Sequence, residues 1–130
     1  MGRLLVVDDA MLMRRMIRDV AVEAGWDVVG EAKNGREGVE LFERFRPDLV
    51  TMDVVMPEMG GLEALRMIRG LDPKAPVVMV TALDQKQTIE EAIRDGALDF
   101  IVKPFERDRI FRLLGKIGAL AASKAGVPGP

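Results

Sequence analysis

Five polar side chains stand where apolar runs end. Asp8 and Asp9 follow "LLVV", Asp53 follows "DLVTM", Thr81 follows "VVMV" and Lys103 follows "FIV". The chain has no histidine and no cysteine. That removes the Ser-His-Asp triad, thiol nucleophiles, disulfides and cysteine zinc sites. No stretch reads GxxxxGK[ST], so there is no P-loop either. Carboxylates, hydroxyls, lysines and arginines remain. If the three acids share one site, like charges about 4 Å apart repel by roughly 4 kcal/mol at an effective dielectric of 20. They then raise one another's pKa values. Lys103 supplies one positive charge and leaves a deficit. A hard divalent cation with oxygen-only ligands fills it, and Mg²⁺ suits a site with one or two carboxylates and open positions for water and phosphate.

Each residue also has a plainer reading. Asp9 can N-cap "MLMRRMI", and Asp53 can belong to a turn in "MDVVMPEMGG". Thr81 alone can be structural and Lys103 alone a solvated charge. Their joint occurrence at run ends is what unlinked solvated residues would rarely produce.

The elements must bring them together. Leu4–Val7, Asp48–Met52, Val77–Val80 and Phe100–Val102 are almost continuously apolar, and a weaker run spans Trp26–Ala32. Continuous apolarity marks strands covered on both faces, as in a parallel sheet. Met13, Met16, Ile17, Val20 and Ala24 keep a helical period, as do Ile110, Leu113, Leu114 and Ile117. Leu62, Leu65 and Ile68 form a shorter stripe, as do Ile89, Ala92 and Ile93. Gly38, Val39 and Phe42 predict a helix that Pro47 stops. Gly25, Gly70 and Gly96 fall where C-caps are expected. Strand and helix alternate five times, which predicts an α/β domain with a parallel sheet and helices on both faces. Ligands in such a sheet bind at the carboxyl ends of the strands, where the five polar residues lie. The second strand closes on Ala32, offers no comparable group and suits a sheet edge.

At 130 residues, 48% of them apolar, the chain is the size of one ordinary domain with a real core. The domain is expected over 1–122, with Ser123–Pro130 as a disordered tail or linker start. No apolar run nears the roughly 20 residues of a membrane span, and the N-terminus does not read as a signal peptide. A cytoplasmic protein without membrane contact is expected. Nineteen basic against 21 acidic residues give a net charge of −2, which argues against direct nucleic-acid binding.

The segments "VVDDAMLMRRMI", "NGREGVELF", "PDLVTMDVVMPEMGGLEAL", "VVMVTA" and "GALDFIVKPF" resemble, in order, the receiver domain of two-component response regulators. Within that family they are most similar to the single-domain chemotaxis regulators. The resemblance spans residues 4–105, and the last helix extends it to about residue 120. It implies a flavodoxin-like, doubly wound sheet of five parallel strands in the order 2-1-3-4-5. It implies that Asp53 accepts a phosphoryl group from a histidine kinase, and that Mg²⁺ is held by Asp8, Asp9, Asp53 and the backbone carbonyl of Val55. Lys103 would pair with phosphoryl oxygens. Thr81 would hydrogen-bond one of them and act with Phe100 as the switch, and Lys103–Pro104 is often a cis peptide in the family. Such a protein is a signalling phosphoacceptor rather than an enzyme, although it assists its own phosphorylation and dephosphorylation. Its output passes through the face of the fourth helix, fifth strand and fifth helix to a downstream protein, the flagellar motor switch being one such target.

The pattern also departs from the family. Phe100 stands where chemotaxis regulators often have Tyr, so no hydroxyl is available there. Val55 and Leu83, two residues after Asp53 and Thr81, are apolar at positions that flank the route of the hydrolytic water. Slow self-dephosphorylation is expected. Phe111 falls off the stripe of the last helix, which suggests an exposed residue on the output face. Arg107, Arg109, Arg112 and Lys116 are expected as solvated or interface charges. Two other readings are open: the receiver half of a longer regulator, and, remotely, a flavodoxin-like cofactor-binding protein. The latter requires a Ser/Thr/Gly-rich phosphate loop where this chain has "DDAMLMR".

Overall fold

The computed structural model describes residues 2–82 and 85–124, with side chains through residue 120. The elements are β1 (Arg3–Val7), α1 (Met11–Glu23), β2 (Asp27–Ala32), α2 (Gly35–Phe45), β3 (Leu49–Asp53), α3 (Gly61–Leu71), β4 (Val77–Ala82), α4 (Lys86–Arg94), β5 (Asp99–Lys103) and α5 (Arg107–Lys124). All strand pairs are parallel, in the order β2-β1-β3-β4-β5. This is the α/β doubly wound architecture expected from the alternation.

The central strands feed two cores, which is why their interiors are almost continuously apolar. Leu5, Val7, Val50, Met52, Val77 and Met79 pack with Phe42, Leu65, Ile68 and Ala92 of α2, α3 and α4. The alternate residues Leu4, Val6, Leu49, Val78 and Ile101 pack with Ile17 and Val20 of α1 and Ile110 and Leu114 of α5. Adjacent strand residues point to opposite faces, so a single polar substitution inside β1 or β3 would enter one core or the other. β2 lies at the edge with its middle only half-buried, matching its weaker pattern.

Caps explain most helix limits. Gly25 (φ 92°) and Gly96 (φ 97°) adopt the left-handed conformation that ends α1 and α4. Gly70 does not serve as a cap. It lies inside α3, which ends at Leu71, and the Asp72 N–H donates to Ile68 O. The reason is Pro73, which forces the residue before it into extended backbone; Asp72 has φ −147° and ψ 102°. α2 stops at Arg46, directly before Pro47, as expected. α5 continues through Lys124, two residues past the boundary expected at 122. The rest of the expected tail, residues 125–130, lies outside the described residues. No helix among the described residues is long and apolar enough to cross a membrane.

Candidate functional site

The strands end in step, and that assembles the site. Val7 is paired with Met52, Asp53 with Val80, and Thr81 with Val102. Asp8, Asp53, Thr81 and Lys103 therefore share the carboxyl edge of the sheet. Lys103 Nζ donates to Asp53 Oδ1 at 3.1 Å and to Asp8 Oδ2 at 3.4 Å, across separations of 50 and 95 residues.

Asp8 and Asp53 are buried, at 1% and 6% exposure, while Asp9 is exposed. Asp8 Oδ1 accepts the Ala10 N–H at 2.9 Å, and Asp53 Oδ1 accepts the Val54 N–H at 3.0 Å. Asp53 Oδ2 accepts no hydrogen bond among the described residues. α1 is capped by Ala10 without a side-chain bond, so Asp9 does not take the plainer N-cap role. One carboxylate oxygen each from Asp8, Asp9 and Asp53 lies within 4.8 Å of the others. An oxygen-only donor set this close, with one ammonium beside it, fits a hard divalent cation.

The electrostatics agree. Burial first, then Asp8, pushes the Asp53 carboxyl up from 3.8 to about 6, although Lys103 pulls the other way. Burial of Lys103 works to lower its pKa, but Asp53 and Asp8 together outweigh it and leave it above the ordinary lysine value. One cation does not neutralise the cluster.

Thr81 is buried, and its Oγ1 donates only a long bond, 3.3 Å, to Ala82 O. Val55 is 66% exposed beside the acids. Leu83 lies outside the described residues. Lys103–Pro104 is cis. Phe100 is partly buried against the α2–α3–α4 core and lines a groove with Val102, Phe105, Arg109 and Arg112. Phe111 is 41% exposed but sits with Val20 and Glu23 beside α1. It does not join the face of α4, β5 and α5, because its place on α5 turns it to the other side. Arg107 pairs with Glu23 at 3.1 Å, and Arg109, Arg112 and Lys116 are exposed.

Sequence reasoning missed the supports. Arg14 Nη1 donates to the Asp8 carbonyl at 2.8 Å, and its guanidinium lies 3.7 Å from Glu31. Gly61 packs so tightly that a Cβ there would collide with the Asp53 carbonyl. The "GG" that follows "PEM" was the available signal for that close approach; Arg14 left none.

A family model described as the response regulator receiver domain matches residues 4–114. The chain is 48% identical over 115 residues to the chemotaxis protein CheY of Thermotoga maritima, covering 88% of this chain and 96% of that protein. Its fold is similar to the REC domain of AraT, a response regulator from Geobacillus stearothermophilus, with a TM-score of 0.87 at 29% identity over 95% of this chain and 98% of that one. It is also similar to the CheX–CheY–BeF3–Mg complex from Borrelia burgdorferi, with a TM-score of 0.84 at 29% identity over 89% of this chain and 88% of that one. Matched along most of its length by a family model, and 48% identical to a curated relative over 115 residues, the chain belongs to the response regulator receiver domain family as a homologue of CheY.

Proposed function

We propose that this chain is a cytoplasmic binding switch, controlled by phosphorylation of Asp53. One placement carries the reading: Lys103 holds Asp53 Oδ1 at 3.1 Å while Oδ2 of the same carboxylate is left without a protein partner among the described residues. Oδ2 attacks the phosphorus of a kinase phosphohistidine. The new P–O bond forms as the P–N bond breaks, and the departing imidazole nitrogen keeps the electron pair. The donor histidine must be another protein's, since this chain has none. Asp8, Asp9, Asp53 and the Val55 carbonyl would hold Mg²⁺, which when bound neutralises charge on the transferring phosphoryl oxygens. Lys103, already at Asp53 and Asp8, supplies a second positive charge to the phosphoryl oxygens. Thr81 exchanges its weak bond to Ala82 for a phosphoryl oxygen.

The acceptor is used stoichiometrically, so the chain assists its own phosphorylation and dephosphorylation without being an enzyme in the turnover sense. Output runs through Thr81 and Phe100 to the face of α4, β5 and α5 and a downstream protein there, the flagellar motor switch being the target a chemotaxis regulator would serve. The same chemistry would serve if the domain were the receiver half of a longer regulator.

Incubation with radiolabelled acetyl phosphate, with and without Mg²⁺, tests this. Label should enter only with Mg²⁺ and be lost in Asp53→Asn. Full labelling of Asp53→Asn, or labelling in excess chelator, would overturn it.

A further inference from the structure

Asn34 ends the loop after β2 and caps α2. Its Oδ1 accepts the Glu37 N–H at 2.8 Å, which fixes the amide and turns Nδ2 away from the helix. Nδ2 donates to Glu58 Oε2, also at 2.8 Å. Asn34 is only 8% exposed, so this contact is largely shielded on its side. Glu58 has φ 66°, a left-handed conformation that costs a non-glycine residue free energy and needs surrounding contacts to persist. Beside it the Gly35 N–H donates to Met59 O at 2.9 Å, and at the loop base the Gly61 N–H donates to Val54 O at 2.7 Å. A Cβ on Gly35 would collide with the Met59 carbonyl. The loop from Val54 to Gly60 is thus tied at its base by α3 and along its far side by the start of α2. Val55, whose carbonyl accepts no backbone bond among the described residues, lies between the two ties.

We propose that Asn34 and Glu58 are positioning residues: their contact latches the β3–α3 loop to α2 and so sets where the Val55 carbonyl stands relative to the carboxylates. The inference rests on the reading of Val55 as a metal ligand. Partners behind a ligand orient it, and losing them typically costs about 10–100-fold in metal affinity. An untied loop must instead be ordered when the cation binds, at a cost in chain entropy.

Asn34→Asp isolates the effect. Aspartate is an equally good cap and still accepts the Glu37 N–H, so the fold survives. It faces Glu58 with a like charge in place of a donor, and the latch opens. The added negative charge by itself would attract a cation more strongly, so weaker binding cannot come from charge. In Asn34→Asp/Glu58→Gln the donor and acceptor are exchanged and the wild-type charge is restored.

Mg²⁺ titration by calorimetry, with amide hydrogen exchange on the metal-free protein, reads both parts. Asn34→Asp should weaken Mg²⁺ about tenfold and speed exchange at Gly35. The double variant should return both toward wild type. Wild-type binding with unchanged affinity in Asn34→Asp would overturn the latch alone. So would faster exchange without an affinity change, because the contact would then be merely structural. A wild-type chain that does not bind Mg²⁺ would overturn the metal reading and the latch with it.

Discussion

Asp53 is a charge that the fold resists until something neutralises it. Its carboxyl rises from 3.8 to about 6, so the folded state holds the proton more tightly than the unfolded chain. The favourable contribution is present below about pH 4 and is lost as pH rises through about 6. At neutral pH the ionised side chain, 9% exposed, should cost metal-free protein on the order of 2–3 kcal/mol. Asp53→Asn should therefore raise the urea midpoint at neutral pH without metal, with the gain shrinking toward pH 4. A variant less stable than wild type at neutral pH would contradict the sign. Val55 gives a second outcome at this scale. It is 66% exposed, so Val55→Asn disturbs no packing and introduces a group able to orient the attacking water. The phosphoryl lifetime should shorten severalfold by single-turnover decay; an unchanged or longer lifetime would sink the idea. The acids, Thr81 and Lys103 were legible because each closes an apolar run. Arg14, Asn34 and Glu58 were not, because a side chain that reaches a backbone carbonyl or a distant loop leaves no period or run in the sequence.

The elements were largely legible for the same physical reason that they are stable. A strand buried on both faces must be apolar at successive positions, and β1, β3 and β4 are. Before the strand-end Asp53, β3 holds one exception. Thr51 is 1% exposed and its Oγ1 has no hydrogen-bond partner, although it faces a core of aliphatic side chains between Val6 and Val78. A buried hydroxyl without a partner costs about 1–3 kcal/mol in desolvation, and valine has nearly the same shape and the same preference for strand backbone. Thr51→Val should raise the denaturation free energy by about 1 kcal/mol with Mg²⁺ affinity unchanged. A drop in stability would mean that the hydroxyl does find a partner in solution. Helix ends were less legible than strands. Gly70 reads as a cap by type, but α3 runs one residue past it and stops where Pro73 holds Asp72 in extended backbone. Neighbouring residues, not the glycine itself, decided that boundary. Phe111 misled for a similar reason: falling off a stripe shows that a residue leaves the core, but not toward which neighbouring helix.

At the scale of the whole molecule the site exists only when the sheet is complete. Lys103 meets Asp8 across 95 residues of chain, and β1, β3, β4 and β5 must all be in register for the contact to form. The proposed output path would run through the same sheet. Thr81 stands on β4 beside Val102 of β5, and Phe100 projects from β5 into the core that α4 closes. A phosphoryl group adds about −1.5 to −2 charges and three acceptor oxygens at one end of this path. It can shift the other end only through contacts that differ between the two states, and Thr81 Oγ1 is a donor held by nothing stronger than a 3.3 Å bond. Thr81→Ala separates acceptance from transmission. The variant keeps Asp8, Asp9, Asp53 and Lys103, so Mg²⁺-dependent labelling of Asp53 should persist. Beryllofluoride should then change amide shifts around Asp53 as in the wild type, but those at Phe100 and along Ile89–Ile93 of α4 should fall by more than half. Full wild-type shifts at Phe100 in Thr81→Ala would show that the signal leaves the site by the backbone of β5 and Lys103 rather than through the hydroxyl.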